Sequence, residues 1–305
     1  MIHTTKIREL LLTEASTPTR MAHLAAASGL AMIGHTLYVV ADDELHLGVF
    51  SADDQRPGTL VRLIAGELPD KYKKRKAAKP DLETLLHLPA FAGHPHGALL
   101  ALGSGSKPTR ERGVLLALDA VGAVAAAPQH VDLSLFYDDL RFELESLNIE
   151  GLIVVGDRLR LLQRGNKGTA NAIIDCDLVS FIAALAANTA PRLVKASTIT
   201  PAPLGEIQGV PLCFSDGAAL PDGNVIFTAI AENTDNAIDD GPCLGAAVGM
   251  LNAAGRVTRI ERLAEPHKVE GICARVGDEG IQIFMVSDGD DASKPAWLLS
   301  AVWGR

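Results

Sequence analysis

Short apolar runs alternate with tight polar turns along most of this chain. Runs of this length, bounded by Gly, Asp and Asn, have the pattern of strands rather than helices. Five stretches share one frame: "SGLAMIGHTLYVVADD" from Ser28, "HGALLALGSGS" from His96, "EGLIVVGDRLRLLQRGN" from Glu150, "DGAALPDGNVIFTAIAEN" from Asp216 and "EGICARVGDEGIQIFMVSDG" from Glu270. Their leading glycines, Gly29, Gly97, Gly151, Gly217 and Gly271, lie 68, 54, 66 and 54 residues apart. In four of the five, a strand follows the glycine, then a turn (Gly34-His35, Gly156-Asp157, Asp222-Gly223 or Gly277-Asp278), then a second strand. Gly, Asn and Asp supply the positive φ angles that two-residue hairpins need. The second stretch lacks that turn and fits the frame least well.

Further strands follow each hairpin, as in "ELHLGVFS", "NAIIDCDL" and "AWLLSAVW". Strand and turn repeated at this period predict an all-β propeller, in which small sheets that cannot bury both faces alone are stacked in a ring. Five frames give five blades in a single domain over residues 1–305; a sixth could hide in the two longer intervals. The N-terminal "KIRELLLTEA" predicts a lone outer strand that closes the ring on the C-terminal blade and removes exposed edges. Helices are few. "PDLETLLHLPAF" from Pro80 predicts one, because Leu82, Leu85 and Leu86 share a helical face. "DLVSFIAALAAN" from Asp177 reads as a helix or as a strand and loop. The basic run "KYKKRKAAK" reads as a solvated loop, and "GSGSKPTRERG" from Gly103 as a mobile one between strands.

Composition narrows the classes. With 48% hydrophobic residues a large core can form, and a net charge of −9 argues against a general nucleic-acid binder. Cys176, Cys213, Cys243 and Cys273 form no C-x-x-C pair; they read as buried free thiols, with one long-range disulfide as the alternative. The N-terminus lacks a signal-peptide pattern and no apolar run reaches the ~20 residues of a membrane span, so a cytoplasmic protein is expected.

Strands that converge on a propeller axis bring their flanking residues to the channel mouths. The acid-Gly openings Glu150, Asp216 and Glu270 are therefore candidates, as are the polar residues ending the second strands: Asp42, Asp43, Arg164, Asn166, Glu232, Asn233 and Asp288. Carboxylates gathered near one axis repel unless a cation lies among them. Glu150, Asp216, Glu270 and Asn166 would form part of a Ca²⁺ shell; ordinary turn chemistry explains the same residues without an ion. Arg164, followed by Gly165-Asn166-Lys167-Gly168, is suited to a carboxylate or phosphate, or to an internal ion pair. His96 of "GHPHG" and His267, three residues before Glu270, are candidate proton carriers. No H-E-x-x-H, G-x-S-x-G, P-loop or dinucleotide fingerprint occurs.

"LNIEGLIVVGDRLRLLQRGN" and "KVEGICARVGDEGIQIFMVSDGDD" resemble blade openings of uncharacterised bacterial propellers related to the esterase-like phytase group. The resemblance implies a site at the channel mouth, often metal-dependent, acting on ester or phosphoester bonds. Two functions are expected on these grounds. One is a Ca²⁺-assisted hydrolase of ester, lactone or phosphoester bonds, with Arg164 holding the substrate and His96 or His267 moving protons. The other is a non-catalytic propeller that binds a small ligand or a protein partner.

Overall fold

A computed structural model describes residues 1–166, 168–193, 197–234 and 241–304. The chain starts with strand β1 (Thr5–Glu9) and then builds four four-stranded antiparallel sheets in turn. The first blade is β2 (Ala27–Ile33), β3 (Thr36–Ala41), β4 (His46–Ser51) and β5 (Thr59–Arg62). Helix α1 (Tyr72–Ala78) leads to the second, β6 (Leu82–Leu88), β7 (Ala98–Gly103), β8 (Arg112–Ala117) and β9 (Gln129–Asp132). After α2 (Ser134–Arg141) comes the third, β10 (Ile149–Val155), β11 (Arg158–Gln163) and β12 (Ala172–Asp177), which is completed beyond α3 (Leu178–Ala186) by β13 (Thr198–Pro201). A small hairpin, β14 (Glu206–Ile207) with β15 (Val210–Pro211), precedes the fourth: β16 (Cys213–Ala219), β17 (Val225–Glu232), β18 (Cys243–Leu251) and β19 (Val257–Arg262).

The fifth blade has only three strands of its own, β20 (Val269–Gly277), β21 (Gly280–Ser287) and β22 (Trp297–Trp303). Strand β1 supplies its outer edge, antiparallel to β22 with Thr5 opposite Ser300. The expected ring of five blades, closed by the N-terminal strand, is thus the observed fold. The first strand of each blade, β2, β6, β10, β16 and β20, is innermost, and neighbouring innermost strands pack on one another. The core fills the spaces between blades. Leu152 and Leu161 of the third blade share one cluster with Leu88 and Leu100 of the second, and Phe214 and Phe227 share another with Ile153 and Leu162.

The acid-Gly repeat has two separate physical causes. Glycine is required for close approach: a Cβ on Gly29 would lie 2.9 Å from the Leu85 nitrogen, and one on Gly271 would lie 2.7 Å from the Leu30 nitrogen, so the inner strands could not meet at the axis. Every innermost strand also shares a register break, between Ala27 and Gly29, Leu82 and Thr84, Ile149 and Gly151, Phe214 and Asp216, and Val269 and Ile272; Ser28, Glu150 and Glu270 stand at it just before their glycines, whereas in the fourth blade Ser215 stands there and Asp216 lies one place beyond. Bulges of this kind re-aim a side chain.

Four local expectations are corrected. The segment expected as a helix from Pro80 is β6, the innermost strand of the second blade. Its leucines line both faces because blades cover both faces, and the bulge at Glu83 breaks the two-residue period into helix-like spacing. "HGALLALGSGS" is accordingly a second strand, one place out of frame. The basic run is helix α1 rather than a loop, while α3 forms with Asp177 as its N-cap, accepting from the Ser180 N–H at 2.7 Å. The loop after Gly103 joins two strands as expected, but it is anchored: Ser104 Oγ donates to Asp81 at 2.5 Å and the Arg110 guanidinium donates to the same carboxylate at 2.7 Å. All four cysteines are free thiols. No helix among the described residues is long and apolar enough to cross a membrane.

Candidate active site at one mouth of the ring

Strand register places equivalent residues of the five blades side by side at one end of the axis. The bulge position carries Ser28, Glu83, Glu150, Ser215 and Glu270. Two residues earlier stand Ala26, Asp81, Asn148, Cys213 and Lys268. The residue leaving the second strand bonds back to this earlier position: Asp42 N–H to Ala26, Ser104 to Asp81, Arg164 to Asn148 and Asp288 to Lys268. All of these residues except Ser104 and Ser215 line a cavity of about 230 Å³.

Among the described residues, eleven carboxylates and seven basic side chains line it. On the side of the first two blades, the Lys79 ammonium is paired with Asp42 and lies 2.9 Å from Asp81, and Arg110 holds the other Asp81 oxygen. Helix α1 is tied down over this side by Arg75, whose Nε donates to the Asp43 carbonyl at 3.0 Å. On the side of the other three blades, Arg164 spans Glu150 of its own blade, at 3.4 Å, and Glu232 of the next. Lys268 lies among Glu232, Glu270, Asp288 and Asp290, at 3.5, 3.7, 3.5 and 2.7 Å.

Burial dominates the acid–base behaviour, since a desolvated carboxylate prefers its neutral form. It lifts Glu150 from 4.5 to about 7 against the opposing pull of Arg164, and Asp288 from 3.8 to about 7 against Lys268. Asp42 rises to about 6 for the same reason, held back by Lys79. Glu83 is pushed well above the carboxylate range by burial and then by Asp81 and Glu150. Glu270 is raised likewise, against Lys268 and Arg164.

The structure brings together most of the mouth residues expected from sequence. Asp42, Asp43, Glu150, Arg164, Asn166, Glu232, Glu270 and Asp288 line the cavity, while Asn233 does not, and Lys167 lies outside the described residues. Asp216 does not line it. It sits one position past the bulge, where its carboxylate accepts the N–H groups of Gly217 and Ile272. The Asn166 side-chain oxygen is taken up locally by the Gly168 and Thr169 N–H groups, at 2.7 and 3.0 Å. The expected four-residue Ca²⁺ shell therefore does not assemble. His96 lies in the β6–β7 turn beyond Leu88, about 17 Å from Glu83 along the strand. His267 is half-buried outside the cavity lining, near Lys6 and Glu265.

A different set of oxygens does converge. One from each of Asp42, Asp81 and Glu83 lies within 4.8 Å of the others, a spacing that fits a hard divalent cation. The residues missed from sequence, Lys79, Asp81, Glu83, Arg110 and Lys268, had one readable signal. Asp81-Leu82-Glu83, Asn148-Ile149-Glu150 and Lys268-Val269-Glu270 repeat a polar–aliphatic–Glu motif before three innermost strands.

Solved structures with similar topology include a luciferin-regenerating enzyme (11% identity, TM-score 0.48, covering 99% of this chain and 96% of that one). Others are a mannose phosphorylase from Leishmania mexicana (11%, 0.46, covering 98% and 89%) and a gluconolactonase from Xanthomonas campestris (10%, 0.43, covering 91% and 72%). Likeness at this level says nothing of what this chain acts on. No curated protein matches the sequence. One family model does, over residues 23–302, and the chain belongs to that family, a family of unknown function (DUF6929).

Proposed function

We propose that the protein is a hydrolase of a small carboxylic ester or lactone, acting at the acid-lined mouth. The observation that supports this best is Glu150, a buried carboxylate facing the cavity with its pKa lifted to about 7 beside the Arg164 guanidinium. A general base works best when its pKa is near the working pH. Glu150 takes a proton from water as that water attacks the carbonyl carbon. Arg164 donates hydrogen bonds to the carbonyl oxygen as it gains negative charge. Glu150 then returns the proton to the departing oxygen.

Phosphoesters fit less well, because a surplus of carboxylates around the cavity repels a phosphate dianion. The resemblance to the phytase group therefore lends more to this reading through ester chemistry than through phosphate. Asp42, Asp81 and Glu83 would hold a divalent cation, Ca²⁺ included; when bound it would polarise the carbonyl. His96 and His267 have no part in this scheme.

The dense pairing of Arg164, Lys268 and Lys79 with cavity acids also supports a second reading, a non-catalytic propeller that binds a small ligand or a protein partner. Turnover on panels of esters, lactones and phosphoesters separates the two. The hydrolase reading expects ester or lactone turnover that drops about 10²–10⁴-fold in Glu150→Gln. Absence of turnover on every panel would sink it.

A further inference from the structure

The two halves of the mouth differ in charge balance. Around α1, the acids Asp42, Asp43 and Asp81 each have a cationic partner among Arg20, Arg75, Lys79 and Arg110. Across the axis the described residues fall short. Glu150, Glu232, Glu270, Asp288 and Asp290 share only Arg164 and Lys268. Four of those five carboxylates have side chains at most 15% exposed, so water does little to screen them.

A second observation points the same way. Glu270 is 6% exposed and lines the cavity, yet its Oε2 has no hydrogen-bond partner among the described residues. A buried acceptor without a donor is costly, and the cost is removed by a ligand that brings one. The missing donor should also be positive, because this half of the mouth has carboxylates to spare. A carboxylate or phosphate would deepen the repulsion. A neutral hydroxyl would satisfy Oε2 but leave the charge.

We infer that the Glu270 side of the mouth binds a protonated primary amine, so that the substrate class is an amine-bearing ester or lactone. The inference rests on the reading of this cavity as the substrate site. A compact ammonium has three donors, which Glu270 Oε2 and neighbouring acids can share. Seating the amine there leaves Arg164, between Glu150 and Glu232, free to meet the carbonyl end of the same molecule.

Probes that differ only in the amine test it. The full chain, treated with EDTA, is titrated with ethanolamine and with ethylene glycol while its unfolding midpoint is followed. A saturable rise with ethanolamine and none with ethylene glycol is expected. Glu270→Gln should weaken that response by about tenfold, the size of one lost charge-assisted hydrogen bond. Asp290→Asn, at the more exposed edge, should weaken it by a smaller factor and guards against a misfolded first variant. Equal responses to the two probes, no response to either, or an ethanolamine response unchanged in both variants overturns the inference.

Glycine methyl ester and methyl glycolate, compared for turnover, separate the two claims. An amine-specific midpoint shift with neither ester hydrolysed keeps the amine site and removes the hydrolase. Hydrolysis of both esters at equal rates, with no ethanolamine shift, keeps the hydrolase and removes the amine site.

Discussion

The carboxylate of Asp216, on the innermost strand of the fourth blade, accepts the backbone N–H of Ile272 on the fifth at 2.9 Å. It also accepts the Gly217 N–H at 2.7 Å, and Asp216 is 3% exposed. This acid joins two blades and takes no part in the mouth. Asp216→Ala leaves two buried donors unsatisfied and should cost about 2–4 kcal/mol of stability. Chemical denaturation measures the loss, and turnover at low temperature should stay near wild type.

Arg164 has the opposite character. Removing its guanidinium takes the cation from Glu150 and leaves Glu232 with Lys268 alone in a buried site, and breaking one side of such a cluster costs about 3–5 kcal/mol. Arg164→Ala should therefore lower both the unfolding midpoint and turnover. Arg164→Lys keeps the charge but not the fork that spans two acids. It should recover much of the stability and little of the activity, as read from melting curves and from kcat.

Lys79 occupies the oxygens that would hold a metal. Lys79→Met removes the competing ammonium, leaving Asp42 to face the charge of Asp81, which keeps only Arg110 as a cationic partner among the described residues. The variant should melt lower than wild type in EDTA. Adding Ca²⁺ should rescue it, by about 2.7 kcal/mol at one hundred times its dissociation constant. Wild type should respond less to the same titration. A wild-type response equal to the variant's would show that Lys79 does not guard the site.

Stability should fall as pH rises across the acid range on account of Glu150. Its pKa is 4.5 in the unfolded chain and about 7 when folded, so between these values the folded state holds a proton that the unfolded state has lost. The stabilisation is complete below pH 4.5 and is lost as pH climbs to about 7, with an upper limit of roughly 3 kcal/mol for this one group. Glu150→Gln cannot titrate. Its stability curve between those pH values should be flatter than that of wild type, and the difference between the two curves isolates Glu150 from groups shifted the other way, such as Asp81.

The blade grammar was readable because a glycine and a hairpin turn mark four of the five inner strands. Blade two escaped because Thr84 follows its bulge where blades one, three and five carry Gly, no glycine stands one place further on as Gly217 does in blade four, and its inner hairpin turns through the longer "PAFAGHPHG". A bulge at Glu83 also shifted its leucines to helical spacing. The acids Glu150 and Glu270 were found at the mouth for a sound reason, convergence of inner strands, yet Asp216 followed the same rule and faces elsewhere. One residue of register decides between cavity and blade seam, and sequence spacing does not resolve it in a strand that contains a bulge. Pairings such as Lys79 with Asp42 or Arg164 with Glu232 cross between blades, and no local pattern announces them.

The fifth sheet sets a condition on how the molecule comes into being. Its outer strand, Thr5–Glu9, is made before the other described strands, and the partner it pairs with, Trp297–Trp303, is made after them. Until that partner is made, the Thr5–Glu9 segment has no sheet to join. The ring therefore cannot latch before that strand is made, and a chain that stops within the fifth blade leaves Thr5–Glu9 without its partner and a sheet edge open to neighbouring chains.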